Sequence, residues 1–467
     1  MSASPRRTTR ASAMALAASP PSVSTPARPV RSSSPAARRQ AVEVTRRPPN
    51  KPDAHDRHMA TAPPSHYAKD MPLSRRIAVP FILLGVTCGV VALTVLIATR
   101  QNDHARAGSA IDADAATADW PQYRGDRALT ARTDGHLPPT PTLRWRFNTG
   151  GSVMSSAVIV GDLVYVGSND RSIYALRIAD GTRLWSYPTG GEIEAPPTVI
   201  DQTVYVGSGD AFLYALDAQT GKQQWRYETG DKIVGAVNWF RSPGTAELRL
   251  IFGSHDHLLH CVDAAAGTPL WTYTSSNYIN GTPAIANGAA VFGGCDGLIH
   301  IVDLTNGQSI ASRDLRNYIA GSAAIADGRA FVGHTGHELA CVNIGSAHVE
   351  WTYRDREFPF FTSPAVGEKL VLIGSHDQRL HAVHRAGGEP AWTFPARGNV
   401  DSSPVICGDE VVFASDDGRL YIVMLADGRE RWSYQIGSPI KASPAVGRGL
   451  IVVGADDGTV YAFAQPR

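Results

Sequence analysis

From residue 143 onward the chain is written in short apolar runs separated by turn residues. Between Ser155 and Tyr187 the runs are "SSAVIV", "LVYVGS", "SIYALRI" and "TRLWSY", all rich in β-branched and aromatic residues. None is long enough for a good helix, so the pattern predicts strands. An Asp precedes each third run (Asp170, Asp210, Asp256, Asp296, Asp377, Asp417, Asp457). A Gly opens the turn into each fourth run (Gly181, Gly221, Gly267, Gly307, Gly388, Gly428), and in all but one case a Trp follows it at a fixed distance. Asp and Gly at such joints supply the backbone angles of tight hairpins. The set then repeats: "GSNDRSIYALRIADGTRLW" (Gly167 to Trp185) is followed by a near copy, "GSGDAFLYALDAQTGKQQW" (Gly207 to Trp225).

The closing Trp marks the period. It falls at Trp145, Trp185, Trp225, Trp271, Trp351, Trp392 and Trp432. The step from Trp271 to Trp351 is a doubled period whose missing marker is Ala311, and the step from Trp225 to Trp271 carries the extra loop "SPGTAE" (Ser242 to Glu247). A fixed period of about 40 residues signals a repeat architecture, and four antiparallel strands per repeat make a β-propeller blade. From Ser155 the chain holds seven complete blades and a three-strand remainder ending at Phe463. The missing strand is "LRWRF", Leu143 to Phe147. An open blade edge leaves backbone groups unpaired, so the expectation is an all-β, eight-bladed propeller closed by its own N-terminal strand. WD40 repeats end the third strand in Trp-Asp, whereas here Trp follows the Gly turn into the fourth.

The spacing A-x-D-x-x-T-G-x-x-x-W, clearest in "ALDAQTGKQQW" (Ala215 to Trp225), resembles the tryptophan-docking motif of the PQQ-like propeller family. The lead-in "WPQYRG" (Trp120 to Gly125) resembles the segment before many such rings, and the likeness spans residues 143 to 467. The family holds quinoprotein alcohol dehydrogenases and non-enzymatic BamB-type outer-membrane assembly proteins. The motif specifies fold and leaves function open.

Ahead of the ring, residues 1 to 76 carry fourteen Lys or Arg against four Asp or Glu, a charge of +10 in a chain whose net charge is +1. Rich in Ala, Ser, Pro and Arg, this tail lacks the apolar surface to fold and is expected to be disordered and solvated. No nucleic-acid partner is expected of it. Ile77 to Ala98 carries no charge and is long enough to span a bilayer as one helix, which takes about 20 apolar residues. Arg75 and Arg76 precede it and the acidic residues Asp103, Asp112, Asp114 and Asp119 follow. The positive-inside rule then predicts a cytoplasmic tail and a propeller on the far side of a bacterial inner membrane. Residues 99 to 119 read as a linker and 120 to 142 as a lead-in to the ring. Cleavage at "ARA" (Ala105 to Ala107), lipidation at Cys88 and a true start at Met71 are the competing readings of the leader.

Chemistry-bearing motifs are scarce. No Gly-rich phosphate loop, nucleophile elbow or zinc helix occurs. The five cysteines (Cys88, Cys261, Cys295, Cys341, Cys407) show no metal spacing and read as single thiols. In "SHDHLLH" and "SHDQRLH" the histidines follow the repeat register: His260, His300 and His381 stand where other blades have Tyr174, Tyr214, Tyr421 and Tyr461. His255 and His376 share a turn position with Asn169 and Asp416, so they read as repeat drift, with no metal site expected.

The residue just before each innermost strand should point into the funnel on the propeller axis. That column reads Met154, Glu194, Val234, Asn280, Ala320, Phe361, Asp401 and Lys441. In quinoprotein dehydrogenases the resemblance implies a Glu and an Asn holding Ca²⁺ beside PQQ, with an Asp as base. Glu194 and Asn280 match the two ligand places, and Ala320 falls where the base would be. Asp401 and Lys441, on neighbouring blades, are expected to pair with each other, although a quinoprotein would recruit them. Three readings follow. The first is a non-enzymatic membrane-tethered scaffold binding an envelope protein, with no cofactor. The second is a PQQ- and Ca²⁺-dependent oxidoreductase using Glu194, Asn280, Asp401 and Lys441. The third is a sensor of a small ligand in the funnel.

Overall fold

The computed structural model of the protein describes residues 118–466. The basic tail, the apolar segment 77–98 with Cys88, and residues 99–117 lie outside them. No helix of the described residues is long and apolar enough to cross a membrane.

Strand pairing gives eight sheets, each built on four antiparallel strands. Blades 1 to 7 take theirs consecutively from the chain, starting at Val158, Thr198, Asn238, Ala284, Ala324, Ala365 and Val405. Arg132–Thr133 adds a short parallel strand to the inner edge of blade 7. In blade 8 the strands starting at Ala445, Leu450 and Thr459 take their outermost partner, Thr142–Asn148, from the start of the ring. Trp145 lies opposite Ala462 and Phe147 opposite Val460, so the closure expected of "LRWRF" is the one observed. The extra residues Ser242 to Glu247 form the loop of the first hairpin in blade 3.

The Trp–Gly spacing has a packing cause. Five of the seven marker tryptophans reach the next blade with the indole N–H donating to a carbonyl: Trp145 to Ile178 at 2.9 Å, Trp185 to Ala218 at 2.9 Å, Trp225 to Ala264 at 3.0 Å, Trp351 to Arg385 at 3.2 Å and Trp392 to Leu425 at 3.0 Å. Trp271 Nε1, by contrast, is buried without a partner. In six of the seven, Trp432 excepted, the ring covers the glycine of the receiving blade. A Cβ on Gly221 would come within 2.6 Å of Trp185, and Gly221 has φ +69°. The marker Trp and the turn Gly therefore belong to different blades and form one contact. Where the Trp is lost, at Ala311, the receiving turn has Ala347 at φ +53°, and both alanines pack against the same apolar cluster.

The Asp before each third strand caps the turn and binds the side chain four residues on. Tyr174 donates to Asp170 at 2.5 Å and Tyr214 to Asp210 at 2.7 Å. In blades 3, 4 and 6 the Tyr is His260, His300 or His381, whose Nε2 lies 3.0–3.1 Å from Asp256, Asp296 or Asp377. Their Nδ1 meets Tyr227, Tyr273 or Tyr353 of the previous blade. Blade 5 has lost both members, carrying Gly336 and Ala340.

Residues 118–133 are more than a lead-in. In chain order their backbone touches blade 8 (Ala118 O to Arg448 N), blade 1 (Trp120 with Ile159), blade 2 (Pro121 O to Val199 N) and blade 4 (Arg127 O to Ile285 N). They continue to blade 5 (Ala128 O to Ile325 N), blade 6 (Thr130 O to Val366 N) and blade 7 (Ala131 O to Ile406 N). Blade 3 joins through Asn238 Nδ2, which donates to Arg127 O at 2.8 Å. The segment makes one circuit of the axis and closes one end of the channel. Arg124 is fully buried at its centre, donating to Pro404 O at 2.8 Å and Pro364 O at 2.6 Å. Burial holds its guanidinium down at about 10, because desolvation penalises the charged form.

Candidate functional site

All eight column residues line one axial cavity of about 190 Å³. Two local features set each of them there. The residue before is a buried apolar wedge, and in most blades it sits on a glycine of the preceding blade: a Cβ on Gly167 would lie 2.3 Å from Ile193 Cγ2. The residue two places after is a small one from an inner belt. There Ala236 N donates to Thr282, Thr282 N to Ser322, Ser322 N to Ser363, Ser363 N to Ser403, Ser403 N to Ser443 and Ser443 N to Ser156, at 2.8–3.1 Å. The belt stops at blade 2, where Pro196 has neither a hydroxyl nor an N–H. Tyr123, from the circuit segment, lines the cavity and meets Ser363 at 3.2 Å, so the well has a floor.

The two halves of the well differ. Apart from Glu194 of blade 2, the charged column residues belong to blades 7 and 8. The expected pair of Asp401 with Lys441 does not form: Asp401 binds His376 Nε2 at 2.6 Å, and Lys441 Nζ binds Asp456 at 3.0 Å. The partners come from a second tier of residues, on the loops between second and third strands, which reach the column more closely than neighbouring column residues reach each other. Asp416 belongs to the same tier. Burial, then the Asp401 charge, pushes its carboxyl up to about 6. Asp456 in turn raises Lys441. Across the well, Asn280 donates to Cys295 Sγ at 3.0 Å, and burial pushes that thiol up. Cys261, Cys341 and Cys407 are buried free thiols. Glu194 opens onto a second hollow of about 350 Å³ with Arg171, Glu192 and Lys232.

Blades 3 to 6 contribute Val234, Ala320 and Phe361, the last edge-on to His376 at 4.5 Å. Above them, the loops entering blades 4, 5 and 6 expose Tyr278 (43%), Tyr318 (61%) and Phe358 (44%). Tyr278 also stacks on His255 at 4.6 Å. The second tier and this aromatic arc escape a reading of the column alone. Their signal in the sequence is the position two residues ahead of the column, where Tyr278 and Tyr318 replace the Ser152, Glu192 and Lys232 of blades 1 to 3.

A ring of eight four-stranded blades, joined by Trp–Gly seats and focusing one side chain per blade on its axis, defines the class of PQQ-like β-propellers. Within it the chain belongs to the family described as outer membrane protein assembly factor BamB, whose profile matches residues 134–249 and 295–466. No curated protein matches the chain by sequence. Among solved structures it is similar to BamB from Moraxella catarrhalis, with 18% identity and a TM-score of 0.59 over 70% of this chain and 98% of that one. It is also similar to a europium-containing methanol dehydrogenase, with 13% identity and a TM-score of 0.62 over 74% and 98% of the two chains. The computationally designed Ika8 protein matches with 15% identity and a TM-score of 0.60 over 69% and 99% of the two chains. At these identities the likeness is one of fold.

Proposed function

We propose that this chain is a membrane-tethered envelope propeller that binds other proteins as a scaffold or assembly factor and carries out no catalysis. Membership of the BamB family carries this reading. The apolar segment 77–98 would serve as the tether, with residues 1–76 cytoplasmic and the ring beyond the membrane. The contact face would be the aromatic arc of Tyr278, Tyr318 and Phe358, since neighbouring exposed aromatics supply the desolvated anchors that dominate protein interfaces. A photo-crosslinking residue at position 318 should capture an envelope protein in the native cell. Tyr278→Ser with Phe358→Ser should abolish capture and leave the thermal melt unchanged. Capture that survives both changes removes the arc from the reading, and failure to capture any protein from any exposed loop removes the scaffold.

The quinoprotein reading keeps one supporting observation, that Glu194, Asn280 and Asp401 face the same cavity. The residues fit the cofactor poorly. Glu194 and Asn280 offer at most three side-chain oxygens to an ion that takes six to eight. Asp401 is engaged by His376, and Lys441 by Asp456. The well of about 190 Å³ is smaller than usual small-molecule sites of roughly 300–1,000 Å³. The full chain incubated with PQQ and Ca²⁺ should therefore show no bound-quinone absorbance and reduce no dye with alcohols. Stoichiometric PQQ lost on Glu194→Ala, with turnover, would establish the enzyme instead.

A further inference from the structure

We propose that Asp355, Asp377 and His381, where blades 5 and 6 meet, bind one first-row divalent transition metal ion, of the Zn²⁺ type. The ligand atoms of the three side chains lie within 4.8 Å of one another. The reason to read a site here comes from comparing the blade with its siblings. In every blade that keeps the Asp before the third strand, both carboxylate oxygens have work except in blade 6. Asp256 Oδ2 accepts from Gly230 N at 2.8 Å, and Asp296 Oδ2 from Ser275 Oγ at 2.9 Å. Asp377 binds His381 through Oδ1, and its Oδ2 is buried with no partner although the side chain is only 2% exposed. The position that holds Thr229 in blade 2 and Ser275 in blade 3 holds Asp355 here. A donor has been exchanged for a second carboxylate, beside an orphaned carboxylate oxygen. Two acids beside one imidazole repel or compete for a proton; Arg379 and Arg356 stand near enough to offset part of that charge, but neither bonds Asp377 Oδ2.

The donor set is one imidazole nitrogen and two carboxylates, which suits Zn²⁺ and its neighbours better than Ca²⁺ or Mg²⁺, whose shells are of oxygen. Ligand atoms around a tetrahedral Zn²⁺ stand about 3.4 Å apart. Asp355, exposed at the strand end, therefore closes by roughly an ångström, and solvent completes the shell. His381 would coordinate through Nε2, its Nδ1–H then donating to Tyr353 Oη, 3.0 Å away. Such an outer hydrogen bond fixes the ring and the tautomer of a ligating histidine. The Arg356 guanidinium stands 3.9 Å from Asp355 Oδ2, too far to satisfy it.

The repeat itself supplies variants that fold. His381→Tyr installs the residue of blades 1, 2, 7 and 8, and Asp355→Thr installs that of blade 2. The full chain, stripped with chelator and dialysed against Zn²⁺, should hold one equivalent more than the double variant by elemental analysis. Each single change should weaken that equivalent at least tenfold, and millimolar Mg²⁺ should not displace it. Anomalous scattering from crystals should place the ion about 2.0–2.2 Å from His381 Nε2 and from both carboxylates. Equal Zn²⁺ content in wild type and double variant, with matching circular dichroism, would overturn the proposal. So would an ion found at other histidines.

Discussion

Replacing Gly221 by alanine tests the Trp–Gly seat directly. The new Cβ would lie 2.6 Å from both Cδ2 and Cε3 of Trp185, on a residue at φ +69°. The left-handed backbone costs a non-glycine residue about 1–2 kcal/mol, and forcing an extra carbon into a packed contact costs about 1–3 kcal/mol. Gly221→Ala should therefore destabilise the ring by about 2–5 kcal/mol. Gly161 supplies the control, with φ +57° and open space around its Cβ. Gly161→Ala should show the backbone cost alone. Trp185→Ala removes a buried ring and should cost about 3–5 kcal/mol, but in that background Gly221→Ala should fall to the value of the Gly161 control. The coupling in the double-mutant cycle is then about 1–3 kcal/mol. Urea denaturation followed by far-ultraviolet circular dichroism reads all four variants without depending on the lost tryptophan. If Gly221→Ala costs the same with and without Trp185, the two residues are not one contact, and the Ala311–Ala347 pair is a coincidence.

Three further outcomes follow from the same geometry. Trp145→Ala, at the seat between blades 8 and 1, should cost about 3–5 kcal/mol in the same denaturation assay, because the side chain is 6% exposed. Arg124→Ala should cost about 3 kcal/mol or more, since two charge-assisted bonds to Pro364 and Pro404 are lost at about 1.5–3 kcal/mol each; a melt unchanged within error would show that the circuit segment contributes nothing. Asp416 has its pKa raised to about 6, so its ionisation opposes the fold as pH climbs from about 4 to above 6. Asp416→Asn should stabilise by about 1 kcal/mol at pH 7.5, allowing for solvent screening, and by nothing near pH 3; equal effects at both pH values would remove the charge argument.

Much of the ring is legible in the sequence because its determinants repeat. The period of Trp and Gly, the strand supplied by Leu143 to Phe147 and the funnel column all come from positions that recur once per blade. Even the Ala311–Ala347 exchange leaves a trace, at the same separation along the chain as Trp185 and Gly221. What escapes is whatever occurs once. Residues 118–133 have no period and bond mainly through backbone carbonyls, which any side chain would permit. The partners of Asp401 and Lys441 were hidden because His376 reaches Asp401 from the preceding blade and Asp456 reaches Lys441 from another loop of the same blade. Asp355 is visible only once the blades are superposed and its neighbours' hydrogen bonds are counted.

The circuit of residues 118–133 and the latch at 142–148 also set an order of events in time. Each of the first seven blades is a local meander that needs only its own repeat. Yet the earliest-made part of the ring must wait for blades that are synthesised last: Ala131 for Ile406, and Trp145 for Ala462. Contacts of such sequence separation form slowly, since chain entropy is lost before they contribute anything. Blades should therefore assemble early as an open arc with two raw edges, and the arc should become a ring in a single late step. A stacked repeat array without closure frays from either terminus; here a terminus can leave only after the latch and the circuit let go together. The slow step of folding thus becomes the barrier to unfolding, and a chain interrupted anywhere before Ala464 would be left with its sheet edges exposed.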